Sequence, residues 1–452
     1  MNRVIVIGGG ADALVAAQIL ARAGREVMMI EGRAAAPDDG WVPRKVLRAL
    51  RIDGLELRWP DPWLTVPLEG GGRLELWRDM ARSAEAIRRL SPRDAERWPE
   101  FCERMARLAR FLEKLYGEPP RSPLDLGFAL RARRLGRRGL ADLLRILPMP
   151  VAELLDDWFE TDALKGALGA RGVLHLLQGP RSGGTAFRFL HQHVGSPPGV
   201  FRPPRSNLVE LLQRLPRVEL EQAEVMRINV RGGAAAGVVL KDGRELEADT
   251  IVSSADPRRS LLELVEPGWL DPELARALRH MRRRGVAARL RLQLDRSPGF
   301  GALALAPSLD YLEHAYDDAK HGRVSQHPYV EAQCDDQHRL EALVQYVPYG
   351  VNPRGLSDRV IALVSEHWGD AQAQHAELAT PRELEEFEGW PEGQPHHAEL
   401  SLDQALWMRP LPELARYRTP IRGLWLCGAA MHPGAGVAGA AGFHCAHEIL
   451  GG

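Results

Sequence analysis

Three small residues at fixed spacing carry the first chemical signal. Gly8, Gly10 and Ala13 stand as G-x-G-x-x-A in GGGADA. At that spacing a strand-to-helix turn can admit a pyrophosphate: the first glycine allows the tight turn, the second lets the backbone approach the phosphates, and the small third residue lets the helix pack close. Glu31 follows as an acid placed to accept hydrogen bonds from a ribose hydroxyl. An acid there favours an unphosphorylated ribose, which leaves FAD or NAD and disfavours NADP. The far end carries a second feature of this kind, Gly428 to Gly436, whose sequence GAAMHPGAG has so few side chains that a large planar ligand or its phosphate can reach the backbone. Two glycine-rich turns at opposite ends of the chain suit one elongated ligand, and FAD explains both better than NAD does.

The elements around these residues follow from pattern. Val4 to Ile7 is a wholly apolar run, as in a strand buried on both faces of a parallel sheet. A helix is predicted from about Ala11 to Ala23, stopped by Gly24 and aiming its N-terminal N–H groups at the turn. Val27 to Ile30 is the second strand, which makes the opening one βαβ unit and the fold class α/β, with a Rossmann-type dinucleotide domain. A short helix over Arg44 to Arg51 leads to strand-like runs LELRW, LTVPL and RLELW. Helical spacing then runs from Asp79 to about Tyr116, and Val151 to Leu168 reads as one further amphipathic helix. Strands return between Val218 and Pro257 with a Lys-Asp-Gly hairpin turn, as a small antiparallel element attached to the nucleotide sheet. A helix over Asp271 to Arg284 and strands over Ala287 to Leu294 and Leu340 to Val347 follow. The chain closes with a strand at Leu424 to Cys427 and a helix from Gly436 to Leu450. These shifts divide the chain into a discontinuous FAD-binding domain, 1–60, 202–262 and 403–452, and an inserted mixed α+β substrate or cap domain, 61–201 and 263–402.

Composition removes several classes. The chain has 452 residues, 26% of them charged, with a formal net charge of −1, which gives no global pull toward nucleic acid. Cys102, Cys334, Cys427 and Cys445 form no C-x-x-C pair, so neither a disulfide framework nor a dithiol centre is indicated, and a reducing, cytoplasmic setting is expected. The stretch Gly423 to His447 lacks Asp, Glu, Lys and Arg but is rich in Gly and Ala and broken by Pro433, which is poor transmembrane material. His367, His375, His396 and His397 with Glu399 lack ligand spacing on a periodic element, so no metal is expected. Phe128 to Pro148 sets six arginines among leucines. It reads first as a helix with a solvated arginine face, and second as a contact for an anionic membrane surface or a protein partner.

From end to end the chain resembles the FAD-dependent amine oxidase and phytoene desaturase superfamily, most of all its phytoene-dehydrogenase-like branch. The resemblance rests on the opening fingerprint, WRDMARSAEAIRRLSPRDAERWPEF, LLDDWFETDALKGALGARGV, GPRSGGTAF, EHAYDDAKHGRVSQHPYVE and, most specifically, the block from Glu399 to Gly442. It implies a flavoenzyme that oxidises a hydrophobic or amphipathic small molecule held by the second domain. On the family pattern Gly8, Gly10 and Ala13 cradle the pyrophosphate, Glu31 holds the adenosine ribose with Arg33 in the turn after it, and the Val225 backbone meets the adenine. Gly428, Pro433, Gly434 and Gly436 pass the flavin ring and its ribityl chain, and His432 is the one titratable side chain placed near the ring edge. Three positions depart from the pattern. Gly32-Arg33 leads into Ala34-Ala35-Ala36-Pro37 rather than paired glycines, Arg202-Pro203-Pro204-Arg205-Ser206-Asn207 replaces a second glycine turn, and Asp12 stands where Asn is usual. A carboxylate at Asp12 opposes pyrophosphate binding unless it faces away. Those departures keep open a second function, a flavin-poor relative acting as a binding or assembly partner.

Overall fold

The opening unit folds as strand β1 (Arg3–Ile7), helix α1 (Ala11–Arg22) and strand β2 (Glu26–Glu31) in a computed structural model that describes residues 3–32, 40–120, 133, 135–215 and 218–451. Val4, Ile5 and Val6 are at most 1% exposed, as an apolar central strand covered on both faces requires. The parallel sheet built on it has five strands in the order Leu424–Leu426, Thr250–Ser253, β1, β2, Glu219–Gln222. Helix α1 lies against the last helix, Ala440–Ile449. The strands Val225–Arg231, Ala234–Leu240 and Glu245–Glu247 form the small antiparallel sheet beside it.

A second sheet of seven strands runs Ala373–Ala379, Ala287–Leu294, Arg339–Gln345, Val330–Cys334, Ala302–Leu305, Leu64–Pro67, Arg73–Leu76. Its neighbours are antiparallel except where Leu303 meets Thr65. A helical layer with an aromatic core packs against this sheet; in it Phe189 and Phe201 stack at 4.7 Å and Trp98 and Phe101 are fully buried.

Four elements differ from the sequence expectation by more than two residues or by a break, three of them for visible reasons. The long helix over Asp79 to Tyr116 is two, Met80–Arg88 and Pro92–Tyr116, because Ser91 caps a fresh start by accepting from the Asp94 amide and Pro92 fits the first helical position. The helix expected over Val151 to Leu168 is also two, Val151–Asp156 and Asp162–Arg171. There the buried Asp94 carboxylate accepts from the Glu160 and Thr161 amides, satisfying backbone donors that a continuous helix would have used internally. The final helix starts at Ala440, not Gly436, because Gly436–Val437 pairs in parallel with Gly40–Trp41 (β3) and Gly439 turns the chain at φ +74°. Pro272–His280 is shorter than the helix expected over Asp271 to Arg284.

Within Phe128 to Pro148, residues 128–132 and 134 lie outside the described residues. The remainder holds the helix Gly136–Ile146, with ion pairs from Arg104 to Asp142 and from Arg145 to Asp157. Among the described residues no helix is long and apolar enough to cross a membrane.

Candidate active site

The C-terminal ends of three parallel strands converge on Ser254. Gly8, at φ +116°, has no room for a Cβ, which would stand 2.0 Å from Ser254 Oγ, and a Cβ on Gly428 would stand 2.0 Å from the Ser254 carbonyl oxygen. Ser254 in turn donates its amide and its hydroxyl to the Ile7 carbonyl at 2.9 and 3.0 Å. The two glycines read as cofactor contacts therefore also allow the strand ends to close up, and a cavity of about 240 Å³ opens directly beyond them.

Gly8, Gly10, Ala13, Val225 and Gly428 all line this cavity. Gly10 is the N-cap of α1 and, with Gly9 and Ala11, lines the cavity, so the positive end of the helix faces it. Glu31 stands at its edge: a Cβ at Gly9 would lie 1.9 Å from Glu31 Oε1, and Gln222 Nε2 donates to Glu31 Oε2 at 3.0 Å. Arg33 and the 33–37 turn lie outside the described residues. Asp12 answers the question raised by its charge. Its carboxylate accepts from the Gly442 amide at 3.1 Å, in the first turn of the last helix. The acid thus bridges two helix N-termini, where a negative charge is favoured.

A second cavity of about 230 Å³ continues from the first, sharing Asp12, Trp390, Pro395 and Ala429 with it. Gly434, Ala435 and Gly436 form one wall. That turn is held from behind by Arg409, which is completely buried and donates to the carbonyls of Ala429, Met431, Glu399 and Gln404. Burial pulls the Arg409 guanidinium down to about 9. His191 completes the support: one ring nitrogen is 2.7 Å from the Ala435 carbonyl and the other 2.9 Å from the Tyr116 hydroxyl.

A third cavity, about 220 Å³, shares His175, Glu341, Leu343, His396, Ala435 and Gly436 with the second. The 202–207 segment reaches this cavity, through Arg202, Pro203 and Arg205, rather than the first two. Arg202 and Arg171 both pair with the single carboxylate of Glu331, which also accepts from the Tyr329 hydroxyl at 2.7 Å. Burial pushes the Glu331 carboxyl up, and the guanidinium charges of Arg171 and Arg202 outweigh it, holding the group at about 2.

His432 and Pro433 line none of these three cavities. The His432 ring is buried against Tyr116 and His444, with the Leu115 and Leu406 carbonyls facing it, and burial drives it down to about 3, so it is neutral. Arg409, Arg188 and the Glu331 cluster are functional candidates that the motif spacing does not mark. Their signal in the sequence is a charge inside an apolar run: Arg188 in AFRFL and Arg409 in LWMRPL.

The model of the family described as flavin containing amine oxidoreductase matches residues 44–450. Pyridine nucleotide-disulfide oxidoreductase domain-containing protein 2 of Rattus norvegicus is 26% identical, with 99% of this chain and 93% of that protein covered. One of the chains of the limonene dehydrogenase of Castellaniella defragrans is 25% identical over 99% of this chain and 94% of its own. Among solved structures, a triple mutant of putrescine oxidase superposes with a TM-score of 0.62 at 13% identity, covering 99% of this chain and 98% of that one, a likeness of fold. The fold is accordingly the Rossmann-type α/β arrangement of these oxidases, and the chain belongs to the flavin-containing amine oxidoreductase family.

Proposed function

We propose that the chain is an FAD-dependent oxidoreductase of dehydrogenase or desaturase type, taking a hydride from a hydrophobic or amphipathic small molecule. The observation that carries this reading is the run of three adjoining cavities from the glycine turn after β1 to the Gly434–Gly436 wall. The residues present fit a dinucleotide: a helix N-terminus in the cavity wall, backbone that tolerates no side chain, and an acid at the end of β2. FAD, when bound, supplies the hydride-accepting ring.

What the protein contributes is binding, orientation and dryness. The α1 N-terminus and the Gly8 to Ala13 backbone face the pyrophosphate, Glu31 accepts from the ribose, and the Val225 backbone borders the adenine. Gly428, Gly434 and Gly436 flank the ribityl chain and ring, with Arg409 and His191 fixing the turn from behind. On this reading residues 1–60, 202–262 and 403–452 bind the cofactor, and 61–201 with 263–402 bind the substrate. The name of the limonene dehydrogenase is consistent with an apolar substrate for that relative.

The test is the visible spectrum of the purified chain. Flavin absorbance, with FAD released on denaturation, is the expected result. Colourless protein that takes up no added FAD would overturn the reading in favour of a binding or assembly role.

A further inference from the structure

The third cavity holds more buried positive charge than its own acids neutralise. Arg171, Arg188 and Arg202 are 3%, 3% and 5% exposed, and Glu331 is the one buried carboxylate among them. That carboxylate is already shared by Arg171 and Arg202. Arg171 also donates to the Phe201 carbonyl at 3.0 Å and Arg202 to the Trp63 carbonyl at 3.2 Å, so both are fixed in place.

Arg188 is different. It sits mid-helix in Thr185–Gln192, and no carboxylate pairs with it among the described residues. Its Nε reaches the Leu174 carbonyl at 3.4 Å, and the Gln192 side-chain oxygen, with the amide turned to accept, meets Nη2 and Nη1 at 2.7 and 3.2 Å. A guanidinium has five N–H donors, so two remain for a ligand. Burial, reinforced by the like charges of Arg171 and Arg409, lowers its pKa to about 9, which is still charged at neutral pH. An unpaired charge of this kind is costly for a fold to keep. A planar anion accepting two parallel N–H bonds is the ligand that offsets it best.

We propose that this cavity is the anchor for the carboxylate of an amphipathic carboxylic acid, held by Arg188 with Arg171 and Arg202 in support, so that the chain's substrate is an acid rather than an amine or a neutral hydrocarbon. The remaining lining agrees. His175 and His396 are held neutral by burial and by the nearby cations. Glu341 is the single opposing acid besides Glu331 in the lining and is solvent-exposed. Ala435 and Gly436 form the boundary with the second cavity, so a ligand anchored at Arg188 extends its apolar part toward the turn assigned to the flavin ring. The proposal rests on the flavoenzyme reading only for what the anchored ligand is presented to.

The test is calorimetric titration of the purified full chain with octanoate, 1-octanol, octylamine and octyl phosphate. Octanoate is expected to bind about tenfold or more tighter than the alcohol and the amine, and Arg188→Gln to remove that preference while Arg188→Lys keeps part of it. The thermal melt of Arg188→Gln should match or exceed the parent, because an unpaired buried charge has been relieved, whereas Arg188→Lys keeps the charge and should gain nothing. A destabilised Arg188→Gln variant, a preference that survives in it, or tighter binding of octyl phosphate than octanoate would each overturn the assignment. The two readings fail separately. A yellow protein without octanoate selectivity loses the anchor and keeps the flavin, whereas a colourless protein that binds octanoate through Arg188 does the reverse.

Discussion

At Glu331 one carboxylate holds two buried guanidinium groups, and removing it leaves both unpaired. Glu331→Gln should therefore cost about 3–5 kcal/mol, as expected when one partner of a buried ion cluster is deleted. Denaturant unfolding of the two proteins measures this directly. The pH dependence has a definite sign. The folded carboxyl is held at about 2 against an ordinary 4.5, so its contribution is complete above about 4.5 and is lost as the pH falls toward 2. The gap between parent and variant should close over that range, and a gap independent of pH would show that charge is not what Glu331 supplies. At the same scale, the placing of Gly8, Gly10 and Gly428 on one cavity is legible from type and spacing, because each lies within a few residues of the strand end that carries it. Arg171, Arg188, Arg202 and Glu331 are not, since four separate segments must fold before their charges meet.

Elements obey the same division between local and distant causes. β1, α1 and β2 are legible nearly to the residue, since an apolar strand, a glycine turn and a helix stopped by Gly24 are local events. The break between Val151–Asp156 and Asp162–Arg171 is invisible in sequence because its cause, Asp94, comes from another helix. Asp94→Ala should strip the acceptor from the part-buried Glu160 and Thr161 amides and lower stability by about 2 kcal/mol, whereas Asp94→Asn, which keeps one oxygen, should lose less. Equal losses would place the cause in packing instead. The start of the last helix is hidden for the same reason. Gly436–Val437 is claimed by a strand pairing with β3, and a Cβ on Gly40 would lie 2.6 Å from the Gly436 carbonyl carbon, so the contact needs glycine at position 40, while Gly436 is itself glycine for its φ of +91°.

Across the whole molecule, buried neutral histidines set an acid limit. His191, His193, His432 and His444 are at most 3% exposed, and burial lowers them to about 3, 4, 3 and 4 from an ordinary 6.5. Below about 6.5 the unfolded chain takes up protons that the folded chain refuses, so stability falls as the pH drops. At pH 5 each of the four costs about 2 kcal/mol relative to neutral pH, a combined effect comparable with the stability of a domain. Thermal melts should show a steep fall in Tm between about pH 7 and pH 5, and a flat profile would mean that these rings are solvated. The same burial wraps the turn that closes the proposed cofactor path, linking the fold at one end of the chain to the site at the other. That link is tested most directly by titrating the purified chain with FAD in the presence of excess NAD and NADP. One FAD taken up per chain, undisturbed by either nicotinamide dinucleotide, is the predicted result; no uptake of FAD, or its displacement by NAD, would contradict a single elongated flavin site spanning both glycine turns.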